Sequence, residues 1–534
     1  MKKIPTLLLT ACLALGLTAC GGDKTNPSPS ATPGDAASAK VLNIASTGET
    51  TSLYPVSMVP ENYTISRLCY ETLFTYENGQ VVPVLVDTYE ISEDGCTLTL
   101  HLKQGITFHD GEPFNAQAVI DNLTDLLTGP AAYALPAIGN CTNMEAPDEN
   151  TVVLTYSTPY YGLLTDFCWP DVCVMVSPKQ IEAKNAGEAV KPVGTGPYVY
   201  TDYVPGESTT FVRNENYWGG TPYYDQVVSK YIPDAASRAQ ALQNGEVDLL
   251  YGIAELTHDE YQQASSLPGM AGKISGAPTS YRNLTLNFNG ILGELAVRQA
   301  IACSIDKETI SQGISYGVEP AVDKVVTAGG LYEDACPPVS YSYDPDRAAS
   351  LLDEAGWADA DGDGVREKDG VRLSIVCTIP SGDESTQSIA TLMQDAFAEV
   401  GIEMSILNQE TMDWMAGFTK PDGWDMTFQD TYYDYASPTQ WFGSMAYMAQ
   451  APSLALLDDT DTFMGMIDEF KTTDDDARLK EIFTYLCTQD QEQLLDIPIT
   501  AEMEMIVYNK DKIADYAFNG CYQFFNPQWI TPAE

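Results

Sequence analysis

The chain has 534 residues, 75 acidic against 27 basic, and a formal charge of −48. Hydrophobic residues make up 44% and charged ones 19%, a globular balance that excludes a disordered chain, and the length suggests about two to four domains or lobes. So acidic a chain is unsuited to the phosphate backbone of a nucleic acid, or to docking a cationic face on anionic lipid, because both need clustered Lys and Arg.

Lys2 and Lys3 open the chain, and an apolar run from Leu7 to Leu17 follows, too short to span a bilayer as a stable helix. Leu17-Thr18-Ala19-Cys20, followed by Gly21-Gly22, resembles a bacterial lipoprotein signal. The resemblance implies that residues 1–19 are removed and that Cys20 carries diacylglycerol; two acyl chains suffice for stable anchoring. The other reading is an ordinary secretory signal cut elsewhere. Residues 20–40 are rich in Gly, Pro, Ser, Thr and Ala without apolar periodicity, the composition of a flexible tether. No later stretch reaches about 18 uninterrupted apolar residues.

Val41 to Ala45 reads as a first strand, followed by a loop from Thr50 to Tyr63 containing Pro and Tyr. Ser66 to Thr75 reads as a helix packing Leu68 and Leu73. Residues 96–102 alternate with period 2 and read as a half-buried strand. Asn115 to Leu127 reads as a helix, with Asn115 its N-cap and Ala118, Val119, Leu123 and Leu126 at helical spacing. Thr151 to Tyr156 is a further strand. Strands and amphipathic helices then alternate: Ser237–Asn244 with Val247–Tyr251, and Leu284–Asn289 with Leu295–Ile305. Asp346–Ala355 precedes Arg372–Thr378, and Ser388–Val400 precedes Glu403–Leu407. That alternation predicts α/β lobes with mostly parallel sheets.

The chemistry-bearing residues exclude more than they assign. Only three histidines occur, His101, His109 and His258; none has metal-ligand spacing, and HExxH is absent. Ten cysteines remain beyond Cys12 and Cys20, with no CxxC. Cys168 and Cys173 are the closest pair, open to a disulfide or to two buried thiols. Asp359, Asp361 and Asp363 occupy positions 1, 3 and 5 of a calcium-type loop with Gly364 at position 6, but position 12 is Gly370 rather than the bidentate Glu. The loop is a weak calcium candidate beside the simpler reading, a hydrated acidic turn.

Six ordered blocks carry a resemblance: TLHLKQG from Thr99 to Gly105, running on to Asp110-Gly111; Gly194-Thr-Gly196-Pro-Tyr198; Arg213 to Trp218; Arg238 to Asp248; Val297 to Ile301 with Ile305-Asp306-Lys307; and Tyr343 to Trp357. Together they resemble the extracellular solute-binding proteins of family 5, receptors that deliver peptides, nickel complexes and related solutes to ABC importers. The resemblance implies an α/β, two-lobed, type II periplasmic-binding-protein-like fold with hinge strands and an extra subdomain inserted in lobe I. Lobe I would hold residues 41–284, with the insertion at about 70–195, and lobe II residues 285–501. Residues 502–534 would return to lobe I. A chain that starts and ends in one lobe crosses at least twice, near Leu286-Asn287 and near Thr500 to Tyr508.

The blocks identify a fold rather than a ligand. The segments Gly423 to Met426 and Thr431 to Pro438 are most similar to the nickel-binding branch. The resemblance places ligand contacts at Met58, Tyr63, Tyr133, Asp171, Trp414, Tyr432 and Tyr435. The arginine- and histidine-bearing loops of that branch align with Trp169 to Cys173 and Met445 to Ser453, where this chain has no Arg or His and offers Asp171. A cleft without that Arg lacks a bidentate clamp for carboxylates, and Asp171 favours a cationic group. The expected solute is therefore a peptide or a small peptide-like cationic molecule, with a nickel or other metal chelate as the alternative. Permease and ATPase subunits are the implied partners. The protein is expected to be a monomer without cofactor or catalytic residues, lipid-anchored at the outer face of the bacterial cytoplasmic membrane. A secreted hydrolase using two of the many carboxylates, or a sensory receptor of the same fold, are the competing functions.

Overall fold

The computed structural model describes residues 39–49, 54–55, 67–77, 80–128, 136–159, 162–169, 172–251, 256–324, 332–338, 341–417, 420, 422–432, 459–473, 475–518 and 525–533. Lys40 to Glu534 form one unit, and among the described residues no helix is long and apolar enough to cross a membrane.

Three sheets organise this unit. A seven-stranded sheet builds lobe I. Its centre is Val41–Ser46, running parallel to Gln226–Tyr231 on one side and to Leu249–Tyr251 on the other. The flanking strands Ser208–Arg213, Tyr198–Val204, Met505–Asn509 and Met270–Ile274 are all antiparallel. A five-stranded sheet builds lobe II, where Glu403–Gln409, Ser374–Pro380 and Met426–Tyr432 run parallel. Ser280–Leu286 and Asp496–Glu502 complete it in antiparallel pairings. The expectation of mostly parallel sheets is therefore corrected: parallel pairing is confined to three strands of each sheet, at the centre in lobe I and along one side in lobe II. Strands that enter from the other lobe arrive at the end where the parallel strands finish, so they must run antiparallel.

The third sheet is wholly antiparallel, in the order Val86–Ile91, Thr97–Leu102, Thr151–Tyr156, Cys141–Asp148. Leu98, Leu100 and Leu102 point to one face, as the period-2 pattern requires, and are buried with Val119 and Leu123 of helix Ala116–Leu127. Asn115 caps that helix by accepting from the Ala118 backbone N–H at 2.9 Å. Lobe II has its own core, in which Leu284 and Leu286 meet Ile375, Phe397 and Phe483.

The segment expected to be one helix from Ser66 to Thr75 is otherwise. Residues 67–69 make a single helical turn, Thr72 bridges to Val174, and Phe74–Glu77 is a strand. Its backbone pairs at long range instead: Gly196 N donates to Cys69 O at 3.0 Å and Met175 N to Glu71 O at 2.8 Å. A Cβ on Gly194 or Gly196 would collide with the Cys69 and Leu68 carbonyls, so only glycine permits this approach. The half-buried Glu71 then accepts from Thr195 Oγ1 (2.8 Å), Tyr217 OH (2.7 Å) and Trp218 Nε1 (2.8 Å). Three of the six sequence blocks thus meet around one fold contact, since the Lys103 ammonium also stacks 4.5 Å over the Trp218 ring.

Candidate functional site: the ends of two sheets at the lobe crossing

The lobes are joined where their parallel strands end. In lobe I the carboxyl ends Ser46, Tyr231 and Tyr251 lie at one edge, and the antiparallel register places Ile274 and Met505 at that same edge. In lobe II the carboxyl ends are Pro380, Gln409 and Tyr432; Ser280 pairs with Tyr432 and with Glu502 there. Residues 275–279 carry the chain from Ile274 to Ser280, and residues 503–504 bring it back from Glu502 to Met505. The first crossing therefore precedes the sequence-derived boundary: Leu286-Asn287 lies at the far end of strand Ser280–Leu286, and residue 284 lies inside it.

The two crossings lie side by side. Ser275 N donates to Glu504 O at 2.8 Å, Glu504 N to Ser275 Oγ at 3.0 Å, and Thr279 N to Glu502 O at 2.9 Å. A two-residue link extends at most about 10 Å, so the two sets of carboxyl ends are close neighbours here. Open α/β sheets bind ligands beyond the carboxyl ends of their strands, and this arrangement turns two such edges toward one another.

A buried ionic group occupies the crossing. Arg282 donates through Nη1 to Glu319 Oε2 at 3.1 Å and through Nη2 to Glu502 Oε1 at 2.8 Å. Glu319 also accepts from Thr500 Oγ1 at 2.8 Å, and its Oε1 meets His258 Nε2 at 3.0 Å. Ser280 Oγ donates to Glu502. Burial alone would raise the Glu319 carboxyl, but the Arg282 guanidinium and the His258 ring hold it down to about 2. Burial raises the Glu502 carboxyl, and Arg282 offsets this only in part. The sequence reading missed this group, because Arg282 lies 37 residues from Glu319 and 220 from Glu502 and no motif links them.

Of the expected ligand contacts, Trp414 is described in full. It sits on helix Thr411–Gly417, which follows the carboxyl end of strand Glu403–Gln409. Its indole N–H donates to Thr427 Oγ1 at 2.9 Å, and that hydroxyl donates to Thr378 O at 2.7 Å. The half-buried ring is thereby fixed to two central strands of lobe II. Tyr432 ends strand Met426–Tyr432, and its backbone pairs with Ser280 beside the crossing. Met58, Tyr63, Tyr133, Asp171 and Tyr435 lie outside the described residues, as does Cys20.

Asp359, Asp361 and Asp363 are exposed and do come together, one oxygen of each within 4.8 Å of the others. Their oxygens already serve the turn: Asp359 accepts from Gly362 N (2.7 Å) and Gly364 N (3.0 Å), and Asp363 from Val365 N at 3.0 Å. Asp363 also pairs with Arg372 at 2.5 Å. Cys168 and Cys173 are free thiols, donating to Leu164 O and Asp166 O, both at 3.2 Å.

Comparison with known proteins decides the family. Residues 80–453 match the family described as bacterial extracellular solute-binding proteins, family 5. The chain belongs to that family. The nickel-binding periplasmic protein of Escherichia coli (strain K12) is 28% identical over 494 residues, covering 90% of this chain and 93% of its own length. The oligopeptide-binding protein AppA of Bacillus subtilis (strain 168) is 25% identical over 471 residues, covering 81% and 83%. Among solved structures, NikA from Brucella suis in complex with Fe(III)-EDTA is 30% identical and superposes with a TM-score of 0.86, covering 92% of this chain and all of that one. The two-lobed fold of this family 5 member is thus the one its crossing topology builds.

Proposed function

We propose that this family 5 protein is the solute receptor of an ABC importer, tethered through a lipidated Cys20 to the outer face of the bacterial cytoplasmic membrane. The observation that carries the reading is the juxtaposition of two sets of strand carboxyl ends across two short, mutually hydrogen-bonded crossings. Such a joint lets two rigid lobes rotate while the chain path through it stays intact. A solute that contacts both lobes favours the closed arrangement by its extra affinity for it. The closed monomer then docks on the permease, and the ATPase subunits supply the work; the solute is released unaltered.

The solute proposed is a peptide or a small peptide-like cationic molecule. The charge at the aligned loop supports this, where Asp171 stands in place of arginine. Arg282, the arginine at the crossing, is committed to Glu319 and Glu502. Trp414 offers a fixed aromatic surface, which buries area whatever the sequence of a bound peptide. The second reading is a metal chelate, favoured by the relative named as a nickel-binding protein and by the neighbour solved with Fe(III)-EDTA.

Native mass spectrometry of freshly purified protein, paired with metal analysis, separates the two. The expected result is a co-purified peptide-like mass without stoichiometric metal. Nickel with a small organic acid would overturn the proposed solute and leave the receptor reading standing. Saturable tryptophan quenching accompanied by turnover of the solute would overturn the receptor reading itself.

A further inference from the structure

A third contact joins the lobes beside the two covalent crossings. Helix Lys307–Ile314 packs in lobe II, against helix Glu384–Glu399 and strand Asp496–Glu502. The chain then turns through Tyr316, whose φ of 56° is a left-handed conformation that a bulky residue adopts only where its surroundings hold it there. What holds it belongs to lobe I. The Tyr316 hydroxyl donates to Asp259, Val318 is buried in the cluster that contains Leu242, Tyr261 and Met505, and Glu319 meets His258. His258 and Asp259 open helix His258–Ser265, which lies on the lobe I strands Met270–Ile274 and Met505–Asn509.

The same short segment is anchored equally firmly in lobe II. Glu319 accepts from Arg282 and Thr500. Ala501 N donates to Pro320 O at 2.9 Å, and Val322 N to Ile499 O at 3.2 Å. Arg282 continues the chain of charges to Glu502, the last residue before the second crossing. The contact therefore lies at the crossing and not at the outer lips of the lobes. A contact far from a rotation axis must break when the lobes move, whereas one on the axis keeps its partners and fixes where the axis lies.

We infer that residues 315–319 form a third, non-covalent element of the hinge. In this strut, Glu319 is a pivot shared between His258 of lobe I and Arg282 and Thr500 of lobe II. Its role is positioning: it holds helix His258–Ser265 against the ends of the lobe II strands and restricts the lobes to one rotation. The inference rests on the two-lobed receptor reading and adds to it which residues set the motion.

The test is hydrogen exchange on protein stripped of solute, followed at peptides covering 275–279 and 501–505. His258→Ala and Val318→Ala each remove one anchor on lobe I; Tyr316→Phe removes only an exposed hydroxyl and keeps the test available should either fail to fold. Exchange at both crossings is expected to rise about tenfold in His258→Ala and Val318→Ala, and less in Tyr316→Phe. Peptides elsewhere in the two sheets are expected to keep wild-type rates. Wild-type rates at the crossings in all variants that unfold cooperatively would overturn the strut, as would faster exchange spread uniformly over both lobes. The receptor reading fails on different data: it falls if scattering of the wild type shows no compaction with oligoalanine or oligolysine peptides or with a nickel–histidine complex, whatever the variants do.

Discussion

The exposed turn at 359–364 and the buried group around Arg282 are both clusters of carboxylates, and they differ in what holds them. In the turn, Asp359, Asp361 and Asp363 are satisfied by backbone N–H groups two to five residues away and by surface Arg372. Water competes for each of those contacts, so no single one is expected to carry much stability. Around Arg282, Glu319 and Glu502 are withdrawn from water and depend on one guanidinium. A local motif catches the eye in a sequence, yet the group at the crossing is the one that ties the lobes together.

The difference is open to attack by substitution, beginning where the effect is largest. Arg282→Ala leaves two buried carboxylates without their cation, and it is expected to cost about 3–5 kcal/mol in urea unfolding. A loss below about 1 kcal/mol would mean that water reaches the group after all.

Asp496 is the counter-case, a buried carboxyl that accepts from the neutral Thr285 hydroxyl at 3.0 Å. Burial pushes it up to about 7 from the usual 3.8. Between those values the folded state keeps a proton that the unfolded state has released. Its contribution to stability therefore falls as pH rises from about 4 to about 7 and stays low above that. The buried Asp490 is raised in the same direction by burial and by Asp496, so Asp496→Asn is expected to reduce this slope without abolishing it and to raise stability at pH 8 by at most about 4 kcal/mol, measured by denaturation at several pH values. A slope unchanged in the variant would assign it to another group.

Glu71→Ala removes the acceptor shared by Thr195, Tyr217 and Trp218, and it is expected to cost about 1–3 kcal/mol in the same assay. Asp363→Asn is expected to change stability by less than about 0.5 kcal/mol, with no rise in Tm when calcium is added to the wild type. A calcium-dependent rise in Tm that Asp363→Asn abolishes would erase the contrast and make the turn a metal site.

What the sequence disclosed follows the range of the interactions. Helix Ala116–Leu127 and strand Thr97–Leu102 were legible because the Asn115 cap, the helical spacing and the period-2 alternation all act within a few residues. The segment after residue 66 misleads because Leu68, Cys69, Tyr70 and Leu73 are all buried, so no amphipathic stripe separates helix from turn. Its true partners are the glycines of the 194–196 loop, more than a hundred residues away. The two crossings are legible in number, since the chain must leave lobe I and return. The position of the first is not, because Leu284 and Leu286 look alike whether a strand bridges the lobes or belongs to one of them. Trp414 is expected as a ligand contact through resemblance alone, while its support by Thr427 and Thr378 required the fold.

Small-angle scattering with solute titration bears most directly on capture between lobes. The purified protein, stripped and then given back its own co-purified solute, is expected to compact saturably, with the solute recovered at unchanged mass. Unchanged scattering at saturation, or recovery of a chemically altered solute, would contradict the account.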